Sequence, residues 1–120
     1  MERRKADAME SFEKKAPEIN NQLEDLRQTF LTRLAQKGQD MHQRLIEISK
    51  DGPTPESRCS IARNAHQTAG VAASFGYREL GELALQVEAA WTVEFSTETL
   101  DSANLMTEDY LDMVEATLDP

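Results

Sequence analysis

Cysteine occurs once in this chain, at Cys59, which excludes an intrachain disulfide framework and a cysteine-based zinc site. A lone thiol agrees with a reducing compartment. Glycine and proline are scarce, at five and four residues, so punctuation is sparse and long helices are open to the chain. No run of ~18 apolar residues exists, so no membrane-spanning helix is expected. The opening stretch, MERRKADAMESFEKK, lacks the apolar segment of a secretory signal. Basic residues are also in deficit: 13 Lys and Arg face 22 Asp and Glu, for a net charge of -9. Phosphate backbones need a basic stripe, so nucleic acid is not an expected partner. Neither GxxxxGK[ST] nor GxGxxG is present, which leaves no ATP site. These absences together lead us to expect a cytoplasmic chain.

What remains is an ordinary globular composition, 39% hydrophobic and 29% charged over 120 residues. That is enough for one domain with its own core. The charge is unevenly placed. Residues 1–15 carry five basic and four acidic groups, whereas residues 93–120 carry eight acidic groups and no basic one. The acidic quarter reads as a solvated face, or as an electrostatic filter against acidic wrong partners.

Apolar residues recur at helical spacing throughout, and no segment of length alternates as a strand does. Pro17 is expected to open a long helix with the stripe Ile19, Leu23, Leu26, Phe30, Leu34, Met41, Leu45 and Ile48. Gly38 interrupts it as a bend or weak point, and Asp51-Gly52-Pro53 ends it. Thr54 then stands as an N-cap, with Pro55 at the first helical position and Ser57 near the third. The second helix runs to about Phe75 along Ile61, Ala65, Thr68, Ala72 and Phe75, and Gly76 breaks it. A third, about 77–93, carries Leu80, Leu83, Ala84, Val87 and Trp91. The polar stretch Ser96 to Asn104 reads as a connection. A fourth helix, about 107–118, starts at Thr107 and turns Leu111, Val114 and Leu118 inward. Short connections imply antiparallel neighbours. The expected fold is all-α: an up-and-down antiparallel four-helix bundle over 17–120, with a charged helical extension over 1–16.

Of the two histidines, His42 reads as a surface residue with no second ligand at metal spacing, and no metal site is expected. His66 differs in its surroundings. It lies about 100° around the second helix from the core position Ala65. Its neighbours on that face are Ala62, Ala69, Gly70 and Ala73, all tiny, where an exposed helix face would ordinarily carry Lys, Glu or Gln. Either the face is cleared for something bulky, or it is a small-residue packing seam with His66 at its edge. Glu88 follows the core position Val87. It lies twelve residues after the turn at Gly76, and His66 lies ten before it, so the two come out at similar heights. A carboxylate there would fix the imidazole tautomer and leave the other nitrogen nucleophilic; the alternative is a solvated glutamate.

The run His66-Gln67-Thr68-Ala69-Gly70-Val71-Ala72-Ala73-Ser74-Phe75-Gly76, followed by Leu80, Leu83, Val87 and Glu88, resembles a histidine phosphotransfer (HPt) domain. His66, Gly70, Gly76 and Glu88 match the family pattern in register. One departure is Ala69, where many such domains carry a lysine; Arg63 is a candidate substitute cation. The resemblance implies a phosphocarrier without catalysis of its own. His66 would accept a phosphoryl group on Nε2 from a receiver-domain aspartate and pass it to another receiver, with Glu88 as orienting partner. The implied docking surface is Ala62, Arg63, Gln67, Ala69, Gly70 and Ala73. The implied partners are receiver domains of response regulators and of a hybrid sensor histidine kinase, with magnesium held only by the receiver and no cofactor on this chain. The alternatives are a docking module that does not transfer, a structural or dimerising bundle, and an enzyme using His66; a convex helix face disfavours the last. A monomer is expected, with Phe75 and Tyr77 packing the turn and Cys59 buried or half-buried without a redox role. The starting Met1 leads us to expect a free-standing protein.

Overall fold

The fold, taken from a computed structural model, is described for residues 2–93 and 96–119, with side chains from Pro17 onward. It is all-α, with four helices and no strand among the described residues: α1 (Glu2–Asp51), α2 (Pro55–Ala72), α3 (Arg78–Ala90) and α4 (Thr97–Leu118). The chain divides into two compact units, Met1–Leu31 and Thr32–Pro120. The second holds the antiparallel bundle.

Its helix ends follow from local chemistry. Gly52 adopts φ 82°, a left-handed conformation that favours glycine, and its N–H closes α1 on the Ile48 carbonyl at 2.8 Å. A reciprocal capping box then starts α2. The Thr54 hydroxyl accepts from the Ser57 N–H at 3.0 Å, and the Thr54 N–H donates to the Ser57 hydroxyl at 2.9 Å. At its far end α2 tightens into a 3₁₀ turn, Ala73–Phe75, and Gly76 at φ 86° reverses the chain into α3. Phe75 and Tyr77 are half-buried at this turn, as expected.

The bundle core is one apolar stripe from each helix. Leu34, Met41 and Ile48 come from α1, Ile61, Ala65 and Ala72 from α2, Leu80, Ala84 and Val87 from α3, with Trp91 just beyond it, and Ala103, Tyr110 and Val114 from α4. Tyr110 is buried outright, which pushes its phenol above the usual tyrosine range, partly offset by the Thr68 hydroxyl.

Four expectations are corrected. Pro17 lies inside α1 and does not open it. It has no N–H for the Glu13 carbonyl, yet the helix runs through it. Ile19, Leu23 and Leu26 are 43%, 53% and 56% exposed, so the bundle core takes nothing from that part of the stripe. Gly38 marks a close approach instead of a bend: a Cβ there would come within 3.3 Å of Val114 Cγ1. Finally, α4 begins ten residues earlier than expected, at Thr97. Ser96 caps it, its hydroxyl accepting from the Thr99 N–H and its N–H donating to the Thr99 hydroxyl at 2.7 Å. The buried face of α4 is Ala103, Thr107, Tyr110 and Val114, while Leu111 is half-buried and Leu118 exposed.

Thr107 is therefore not a helix start but a buried polar contact. Its hydroxyl accepts from Trp91 Nε1–H at 2.8 Å and donates to the Ala103 carbonyl at 2.7 Å. Thr107→Val keeps the volume and removes the acceptor 2.8 Å from the buried indole N–H. Thermal or urea unfolding is expected to show a loss of about 1–3 kcal/mol. A loss under about 0.5 kcal/mol would mean that the indole finds another acceptor.

Candidate functional site: the α2 face around His66

The capping box at Thr54 and the turn at Gly76 fix α2 at both ends, and that fixes where His66 emerges. Its core neighbours Ala65 and Thr68 point inward, and the His66 side chain stands out at 70% exposure. Across the hairpin, Val87 is buried and Glu88 follows it at the rim with 29% of its side chain exposed. His66 Nδ1 lies 3.0 Å from Glu88 Oε1 and 3.1 Å from Oε2. An ionised carboxylate only accepts, so Nδ1 carries the proton and donates it between the two oxygens. Nε2 is then the nitrogen with the free lone pair. Of the two readings of Glu88, the geometry gives the paired one.

The small residues around the imidazole divide into two sets. Gly81 of α3 is buried against α2, and a Cβ there would meet Ala72 Cβ at 3.6 Å, the Ala69 carbonyl at 3.7 Å and the Ala73 nitrogen at 3.8 Å. Part of the stripe is thus a packing seam that lets α3 come close. Gly70 is different: it is exposed, and a Cβ on it would meet nothing within 4 Å. No contact among the described residues requires a glycine there. Ala73, Arg63 and Gln67 are exposed, and Ala62 and Ala69 are half-buried. Arg63 is turned back along α2 toward Cys59, with its guanidinium 3.8 Å from Sγ. Cys59 itself is exposed, contrary to expectation, because it falls on the side of α2 opposite Ser57 and Ile61.

Two further side chains stand at this face beyond those expected from the sequence. Lys37, from α1, donates from its ammonium to Gln67 Oε1, beside His66 in the chain, and its own carbonyl accepts from Asn64 Nδ2 at 2.9 Å. Burial, with the like charge of Arg33, holds this ammonium below the usual lysine range, and Asp40 opposes that shift. The only sequence signal is one lysine thirty residues away. Leu85, one turn before Glu88 on α3, is 55% exposed. Its signal was available, since it is a leucine off the buried stripe of its helix. His42 is exposed as expected, and no cluster of three His, Cys, Asp or Glu that could hold a metal ion occurs among the described residues. No helix there is long and apolar enough to cross a membrane.

The fold is an all-α bundle, and its α2 face presents an exposed imidazole paired with a carboxylate. The model of the Hpt domain matches residues 7–119, and the chain belongs to that family. No curated protein and no solved structure matches it. Family membership places the chain in histidine phosphotransfer within phosphorelay signalling, where Hpt domains act as phosphocarriers that interact with receiver domains.

Proposed function

We propose that His66 is the phosphoryl acceptor and that this chain carries the group between two receiver domains without catalysis of its own. The observation that carries the reading is the Nδ1–Glu88 pairing on an otherwise exposed ring. In the forward step the Nε2 lone pair attacks phosphorus, the N–P bond forms, and the P–O bond to the receiver's aspartate breaks. The aspartate leaves as a carboxylate. The proton stays on Nδ1, and the positive charge that develops on the ring lies against the Glu88 carboxylate. The second transfer runs these bonds in reverse onto another receiver. Little covalent work falls to this chain, because such transfers depend on positioning and charge. The receiver supplies the magnesium.

Docking uses the open face beside the ring: Ala62, Arg63, Gln67, Ala69, Gly70 and Ala73, with Leu85 as an apolar edge. Lys37, held at Gln67, brings to this face a cation that Ala69 does not supply. A second reading, docking without transfer, rests on Ala69 alone. Phosphotransfer profiling separates the two. Receivers charged with labelled phosphate should pass an acid-labile, base-stable label to the folded chain. No label from any receiver that binds it would replace the carrier reading with the docking one.

Glu88 gives a graded test. Glu88→Ala removes the brace, and a slightly misaimed ring can lose as much as about a hundredfold in rate. Glu88→Gln keeps an acceptor for Nδ1–H and is expected to fall between the two. The measurement is the single-turnover rate from one charged receiver. Equal rates for all three proteins would reduce Glu88 to surface charge.

A further inference from the structure

The apolar stripe on the first part of α1 has a period of its own. Phe12, Ala16, Ile19, Leu23, Leu26 and Phe30 follow one another at steps of four, three, four, three and four. That is the a/d repeat of a coiled-coil seam, and it is narrower than the stripe that covers a globular core. Ile19, Leu23 and Leu26 stand in the middle of this seam, and each is more than two-fifths exposed. Pro17 follows an a position, so its backbone place is b, on the side of the helix away from the seam. A proline opens the face that carries it, and a bend there curves the helix toward the seam side.

We propose that this seam pairs with the same seam of a second copy of the chain, as an antiparallel two-helix coil, in place of the expected monomer. The sequence is complementary to itself in that direction. Centred on Asn21, the pairing sets Ile19 of one copy against Leu23 of the other, twice by symmetry, and Ala16 against Leu26 on either side. The same register places Glu13 of one copy beside Arg27 of the other, opposite charges at flanking e positions. Arg27 also holds Glu24 within its own chain at 3.0 Å, an exposed contact that the pairing can share. A parallel coil in register has no such match, because Lys15 would flank Asn20 and Gln22 would flank Arg27. Phe30 is buried within its own chain, so about two heptads remain, a small interface below about 1,200 Å². The dimer is therefore a concentration-dependent one and dissociates on dilution.

Sedimentation equilibrium of the full chain tests this. The mass is expected to rise from 13.5 kDa toward twice that value as concentration increases through the micromolar range. Leu23→Glu places two carboxylates in the centre of the seam and is expected to hold the chain at one mass throughout. Leu23 is half-exposed, so circular dichroism should show the same helix content in the variant. A single-chain mass at every concentration would overturn the proposal, as would a dimer that Leu23→Glu leaves intact. The direction is read by mild oxidation of an equal mixture of Ile19→Cys and Leu23→Cys, both with Cys59→Ser because Cys59 is exposed. The antiparallel register gives mainly the mixed disulfide, whereas self-linked Leu23→Cys as the main product would overturn that direction.

Discussion

His66→Gln is expected to take up no phosphoryl group from any receiver, with its folding midpoint within about 0.5 kcal/mol of the parent. Two observations set the two halves of that expectation. The ring is 70% exposed and fills no part of the core, so its removal leaves no cavity. His42 is the only other histidine, and it sits on α1 among Gln39, Asp40, Gln43 and Arg44, away from the α2 face. Glutamine keeps a polar side chain of similar reach but has no nucleophilic nitrogen. Residual label at even a tenth of the parent level would move the acceptor elsewhere. Loss of label together with loss of helix content would make the residue structural, and circular dichroism on the same samples separates that case.

The second large effect comes from a pair of glycines that look alike in the sequence and differ in the structure. Gly70→Gln adds a side chain to open space, so the fold should be unchanged or slightly more stable, since a helical glycine costs roughly 1 kcal/mol against alanine. The same side chain stands one turn from His66, on the face proposed for receiver docking. Transfer is expected to fall by at least about tenfold, through weaker docking. Gly81→Leu does the opposite. Its Cβ fits, but the rest of the side chain runs into Ala72 and the α2 backbone. Forcing α3 away from α2 is expected to cost about 1–3 kcal/mol or more. Binding by calorimetry and unfolding by urea, measured on both variants, should give opposite patterns. If both glycines lower stability and neither changes transfer, the open face around Gly70 is not where the receiver docks.

These contrasts show which parts of the fold were legible in the sequence. The Thr54-Pro55-Glu56-Ser57 start of α2 was readable because a cap is local: its donors and acceptors lie within four residues. The meeting of His66 with Glu88 was readable for a related reason, since a hairpin with a short turn converts sequence distance into height. The family resemblance rested on the same short segment. The start of α4 carries a cap of the same local kind, Ser96 with Thr99, yet the first buried position after it is the small Ala103, so a polar stretch with no apolar stripe reads as a connection. Ile19, Leu23 and Leu26 show a different limit. Periodicity reports that a helix has an apolar face and does not report what covers it. Lys37 shows a third: two side chains thirty residues apart, on different helices, share no local signal until the helices pack.

In the proposed reading one atom, Nε2 of His66, carries the phosphoryl group. Glu88 occupies the Nδ1 side of the ring, so attack from Nδ1 would require that pair to break. The most direct measurement is the phosphorus–proton correlation spectrum of the phosphorylated chain, which distinguishes the two ring positions. The account predicts a single phosphohistidine, bonded at Nε2 and lost in His66→Gln. A phosphate on Nδ1, or on any residue other than His66, would contradict it.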